Sequence, residues 1–109
     1  MLTPITPEII EEVKNRLVKT YNPLEIYLYG PHAYGPTDPE CDLDLAIVVD
    51  DTEVLPEHRE AGGYRALFDL GVPSEIIVYT KQEFKEESED TGYLGYNIKH
   101  RGKRIYAKA

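Results

Sequence analysis

Gly30-Pro31-His32-Ala33-Tyr34-Gly35-Pro36-Thr37-Asp38-Pro39-Glu40-Cys41-Asp42-Leu43-Asp44-Leu45 is the stretch that decides the fold. The apolar run Ile26-Tyr27-Leu28-Tyr29 leads into Gly30, and a loop of turn formers follows: Gly35, Pro36, Asp38 and Pro39. Asp42-Leu43-Asp44 then opens a second apolar run, Leu45 to Val49. That run alternates as a strand does. Leu43, Leu45, Ile47 and Val49 share one face, and Asp42 and Asp44 share the other. Two carboxylates held side by side repel unless a cation neutralises them. Oxygen-only ligands favour magnesium, with phosphate oxygens completing the shell.

The spacing is Gly30, one residue, ten residues, then Asp-x-Asp. It resembles the G-S-x10-D-x-D signature of the DNA polymerase beta-like nucleotidyltransferase superfamily, above all its small minimal nucleotidyltransferase (MNT) domains. Their loop reads G-S-x-A-R-G where this chain has Gly30-Pro31-His32-Ala33-Tyr34-Gly35, and Asp42-Leu43-Asp44-Leu45 matches their D-L-D-L. The resemblance runs from about residue 7 to about residue 106. Alone, D-x-D is a weak motif; strand, glycine loop, strand and spacing together are far more specific.

Two departures stand out. The family's Ser is Pro31 here and its common Arg is Tyr34. In relatives the Ser hydroxyl and loop amides help hold the triphosphate; Pro31 has neither a hydroxyl nor an N–H. A hydrogen bond to a charged group is worth about 1.5–3 kcal/mol. Losing one or two would weaken nucleotide binding roughly ten- to a thousandfold, at about tenfold per 1.4 kcal/mol. Tyr34 in place of Arg removes a positive charge that could face phosphate. By the resemblance, Gly30, Pro31, His32 and Tyr34 are the expected nucleotide-binding positions. A plain Gly/Pro connection between two strands, with His32 a bystander, is the blander account of the same loop.

A third carboxylate comes from Pro73-Ser74-Glu75-Ile76-Ile77-Val78. It resembles the family's P-x-D-hydrophobic strand, with Glu for Asp, and the extra methylene moves the carboxylate by about 1.5 Å. In relatives this acid helps bind the catalytic metal and assists deprotonation of the attacking hydroxyl. A strand-edge Glu in water is the alternative. The resemblance thus makes Asp42, Asp44 and Glu75 the expected catalytic and metal-binding residues, around two magnesium ions, with ATP or another NTP as substrate.

Composition bounds the rest. The chain has 109 residues, enough for one domain, expected to span residues 1–109, with a modest core. Its net charge of −8 argues against a general nucleic-acid binder, because phosphate-backbone affinity comes from Lys and Arg. The single Cys41 excludes an internal disulfide and suits a reducing cytoplasm. No run approaches the ~18 apolar residues of a membrane helix. Met1-Leu2-Thr3-Pro4-Ile5-Thr6-Pro7-Glu8 has neither a basic nor an apolar region of the secretory type, so a signal peptide is not expected.

Local signals mark the other elements. Thr6-Pro7-Glu8 reads as a cap, a proline at the first helical position and an acid in the first turn. Ile9, Ile10, Val13 and Leu17 make the apolar stripe of a helix of about three turns, ending near Tyr21-Asn22-Pro23. A strand is expected at Glu25–Tyr29, and a turn at Asp50-Asp51-Thr52. Next comes a helix from about Pro56 to Leu70, with Ala61, Tyr64, Leu67 and Phe68 inward. Gly62-Gly63 weakens it and marks close packing, a kink or two shorter segments. Gly71 stops it, and a third strand covers Ser74–Tyr79. Thr80-Lys81-Gln82-Glu83 is a capping box, so a helix starts at Lys81. Thr91-Gly92 breaks it. A last helix ends in Lys99, His100 and Arg101, and Arg104-Ile105-Tyr106 reads as a short strand. From Asn97 onward there are five Lys or Arg and no acid. Helix-end chemistry and a solvated tail account for them most simply; a nucleotide-approach or partner patch is the alternative.

The expected fold is α/β (α+β): a small mixed sheet with helices packed mainly on one face. The resemblance implies transfer of a nucleoside monophosphate to an acceptor hydroxyl with release of pyrophosphate. It also implies partners: a helical HEPN-type protein in a toxin–antitoxin pair, where this chain would be the antitoxin, or a homo-oligomer. The competing reading is a degenerate domain of the same fold, acting as a protein-binding or inhibitory module. Pro31, Tyr34 and the acidic charge favour it; the intact Asp42/Asp44 pair favours the enzyme.

Overall fold

A computed structural model of the chain describes residues 5–34 and 42–109, and of Tyr34 only the backbone. The stretch from Gly35 to Cys41, which the sequence marks as a loop of turn formers, lies outside the described residues.

The first helix, α1 (Pro7–Tyr21), starts where its cap is written: Thr6 Oγ1 accepts the Ile9 N–H at 3.2 Å. It ends at Asn22, whose left-handed backbone (φ 47°) lets its N–H return to the Val18 carbonyl. Its inward stripe is Val13 and Leu17, both fully buried. Strand β1 (Glu25–Tyr29) runs into the one-turn helix α2 (Pro31–Tyr34), and β2 (Leu43–Val49) follows.

Pro56 to Leu70 is not one helix. A 3-10 turn at Pro56–His58, helix α3 (Ala61–Leu67) and a second 3-10 turn at Phe68–Leu70 take its place. The inward residues of α3 are Gly63 and Leu67, one helical turn apart. Ala61 is exposed, and Tyr64 is partly exposed, its hydroxyl accepting the Ile76 N–H at 3.1 Å. Phe68 is 87% exposed, because the chain tightens before it and turns it outward. Gly63 explains the glycine pair: a Cβ there would stand 2.8 Å from Ile76 Cδ1 and 3.1 Å from the Tyr21 hydroxyl.

Strand β3 (Ser74–Thr80) passes directly into α4 (Lys81–Ser88) through the expected capping box. Thr80 Oγ1 accepts the Glu83 N–H, and the Glu83 carboxylate accepts the Thr80 N–H at 2.9 Å. The same carboxylate receives the Arg59 guanidinium at 2.6 Å. Helix α5 (Leu94–Arg101) and strand β4 (Lys103–Ala107) complete the described chain.

The four strands form one mixed sheet in the order β3-β2-β1-β4. Strand β1 is antiparallel to both neighbours, and β2 runs parallel to β3. The α+β architecture with a mixed sheet is the expected one, but helices cover both faces of the sheet rather than mainly one. The larger core lies under α1 and α3, against Ile26, Leu28, Leu45, Ile47, Ile76 and Val78. A smaller cluster under α4 and α5 closes the opposite face, with Tyr27, Ala46, Val48, Tyr79, Phe84 and Ile98. Burial on both faces is why β2 is apolar at nearly every position after Asp44.

Candidate active site

The β1–β2 and β2–β3 ladders fix one row across three strands. Tyr29 pairs with Asp44, and Asp44 pairs with Glu75. Paired residues on neighbouring strands point to the same face, about 4.8 Å apart. Asp44 and Glu75 thus stand abreast on the face that carries Tyr27, Ala46 and Tyr79 further along. Asp42 lies two residues before Asp44, just outside the strand, and is exposed.

The turn after β1 is built around Asp44. Gly30 has φ +71°, a conformation side chains rarely adopt, and a Cβ there would collide with Asp44 Oδ2. Glycine is therefore required twice over: by the backbone and by the carboxylate above it. The Ala33 N–H donates to the Gly30 carbonyl at 3.0 Å, which closes the single turn of α2. Pro31 sits at the exposed start of that turn. His32, within that turn, is buried, at 9% exposure.

Burial, with Glu75 and then Asp42 nearby, raises the Asp44 carboxyl above the ordinary carboxylate range, and His32 opposes that rise. The other two predicted acids, Glu75 and Asp42, thus both act on the Asp44 carboxyl. The Tyr29 hydroxyl is pushed up to about 12, first by burial, then by the Asp44 and Glu75 charges. It stays protonated at neutral pH.

The sequence reading did not single out Tyr29. Its signal was its position, last in the strand before Gly30. Only the register shows that it faces Asp44. Gly30, His32, Asp44 and Glu75 are brought to one end of the sheet; Pro31 opens α2 there, and the Tyr34 side chain lies outside the described residues. Among the described residues, no group of three or more His, Cys, Asp or Glu side chains is gathered closely enough to hold a metal ion. The carboxylates are electrostatic neighbours, not a closed cage. As donors they are all hard oxygen, the type that suits magnesium. Asp44, Asp42 and Glu75 supply such donors at this end of the sheet without closing a three-carboxylate site as they stand.

No helix among the described residues is long and apolar enough to cross a membrane. No curated protein matches the chain significantly. The family model of the nucleotidyltransferase domain matches residues 8–104, from the first turn of α1 into β4. With nearly its whole length inside that match, the chain belongs to the nucleotidyltransferase domain family.

Proposed function

We propose that this protein is a metal-dependent nucleotidyltransferase that moves a nucleoside monophosphate from an NTP, with ATP the first candidate, to an acceptor hydroxyl. Family membership supports nucleotidyl transfer as the general chemistry. The observation that carries the finer reading is Asp44 abreast of Glu75, beside a turn in which Gly30 is the residue that clears Asp44.

Asp42, Asp44 and Glu75 would hold magnesium. When bound, magnesium neutralises the triphosphate and lowers the pKa of a coordinated hydroxyl. The protein's own groups do the rest. Gly30 lets the backbone come close to the phosphates. Glu75, exposed at the edge of the row, takes the proton of the incoming hydroxyl. Tyr29, neutral at working pH, adds no charge of its own beside the carboxylate row. The acceptor attacks the α-phosphorus and pyrophosphate leaves.

One observation favours weak nucleotide binding, and with it the degenerate-module reading. Pro31 has no N–H, and the Ala33 N–H is used by the Gly30 carbonyl. The first turn of α2 thus offers fewer amides to phosphate than a serine-bearing loop. A partner that completes the acceptor side, of the helical kind the family resemblance implies, or a second copy of the chain, would offset this.

The test is calorimetric titration of ATP with magnesium into the native chain and an Asp42→Asn/Asp44→Asn variant. Magnesium-dependent binding that disappears in the variant, with circular dichroism unchanged, supports the enzyme. Absence of binding up to millimolar ATP, with or without a partner protein, overturns it in favour of the module.

A further inference from the structure

The far end of the sheet from Asp44 carries a cavity of about 460 Å³. Glu25 and Val48, paired at the opposite end of β1 from Tyr29 and Asp44, lie in its wall. Four residues of strand, roughly 13 Å, separate the two ends. Leu24, Val48 and Phe84 provide its apolar lining.

Five cationic side chains line this one cavity: Lys81 and Lys85 from α4, Lys99 from α5, Arg104 from β4, and Lys108 just beyond it. They are five of the twelve Lys and Arg in a chain of net charge −8. Among the described residues Glu25 is the one acid in the lining, and it is already engaged: Arg104 Nη1 reaches it at 3.1 Å and the Tyr27 hydroxyl donates to it at 3.0 Å. Lys81 pairs with Asp50 at 3.2 Å and Lys85 with Glu89 at 4.0 Å, and all four side chains are well exposed. Such solvent-screened pairs are weak and yield readily to a better anion. Lys108 donates to Asn22 Oδ1 at 3.3 Å, and Lys99 takes part in no ion pair among the described residues.

We propose that this cavity is an anion site for a small molecule carrying two or more linked phosphates. Its volume falls in the range of small-ligand sites. Five cations exceed what one phosphate engages, while the acidic body of the chain disfavours a long nucleic-acid strand. The site is distinct from the carboxylate row and does not depend on the catalytic reading.

Calorimetry with tripolyphosphate in EDTA tests it, since a metal-dependent site is silent there. The expected result is binding that a Lys99→Glu/Lys108→Glu variant weakens at least tenfold. It should weaken with added salt and be unchanged by Asp42→Asn/Asp44→Asn. Both lysines are exposed, and circular dichroism should show the fold unchanged. Competition by ATP in EDTA would also support the site and mark free nucleotide as a source of the phosphates. No binding up to millimolar tripolyphosphate, binding indifferent to the lysine reversals, or binding altered by the Asp substitutions would each overturn the proposal. Preference for an acidic peptide over tripolyphosphate would overturn the phosphate class.

Discussion

Asp44 and Glu75 stand abreast on the parallel strands β2 and β3, and Asp44 also faces Tyr29 across the antiparallel β1–β2 ladder. The row places a half-buried carboxylate between a second acid and a tyrosine hydroxyl that stays protonated. Much of what can be tested follows from that crowding.

The first consequence concerns stability against pH. A carboxyl whose pKa is raised on folding favours the fold fully only below the unfolded carboxylate range; that contribution is lost as pH rises through the folded pKa. The Asp44 pKa is raised, by burial first and then by Glu75 and Asp42, so ionised Asp44 costs stability at neutral pH. Asp44→Asn should therefore stabilise the ligand-free protein at pH 7, by up to about 1 kcal/mol for a partly solvated charge, and raise its melting temperature. The gain should fade toward about pH 4. Thermal melts across pH check this, and an Asn variant no more stable than native at pH 7 would contradict it. Magnesium should stabilise the native chain and not the variant.

The Gly30 turn should be intolerant of even one methyl group. Gly30→Ala places a Cβ against Asp44 Oδ2 on a backbone with φ +71°. The left-handed conformation alone costs about 1–2 kcal/mol. Under the proposed function, displacing Asp44 by about 1 Å would cost about 100-fold in rate. Melts should show the stability loss, and single-turnover assays with a competent acceptor should show the rate loss.

The two adjacent glycines of α3 should respond with opposite signs. At Gly62 a Cβ meets its nearest neighbour, Thr20 Cγ2, at an ordinary 3.6 Å, so Gly62→Ala should stabilise by up to about 1 kcal/mol through helix propensity. At Gly63 the Ile76 methyl is 2.8 Å away, and overpacking of about 1–3 kcal/mol should outweigh that gain. Denaturant midpoints of the two variants decide it.

Glu83 ties the β3–α4 junction to the loop before α3. It accepts the Thr80 N–H and the guanidinium of Arg59, whose side chain is only 8% exposed. The Arg59 hydrogen bond lowers the Glu83 pKa, burial opposes it as the next largest cause, and the Thr80 N–H adds to the lowering. A lowered folded pKa gives stability that is present above the unfolded carboxylate range and lost as pH falls through the folded value. Glu83→Gln should thus cost about 1–2 kcal/mol at neutral pH. The gap to native should narrow as the solution is acidified, which denaturant titrations at pH 7 and pH 4 would show.

The sequence by itself determined the signals that act within about four residues. The Thr6 cap, the Thr80/Glu83 capping box, the Gly71 stop and the strand opening at Leu43 all appear where local chemistry puts them. The family and the fold class were legible from the strand, glycine loop, strand and spacing taken together along the chain. Local patterning failed at Pro56–Leu70, where the helical spacing continues but the chain breaks into three pieces and Phe68 faces water. There, close packing of Gly63 on Tyr21 and Ile76 sets which side of α3 faces inward, and neither contact is local. The tertiary structure alone decided the register that sets Tyr29, Asp44 and Glu75 in one row, and the gathering of Lys81, Lys85, Lys99, Arg104 and Lys108 around one cavity. The physical reason is that cross-strand and cross-helix neighbours are set by how distant segments dock, and a one-residue slip would turn each side chain to the other face.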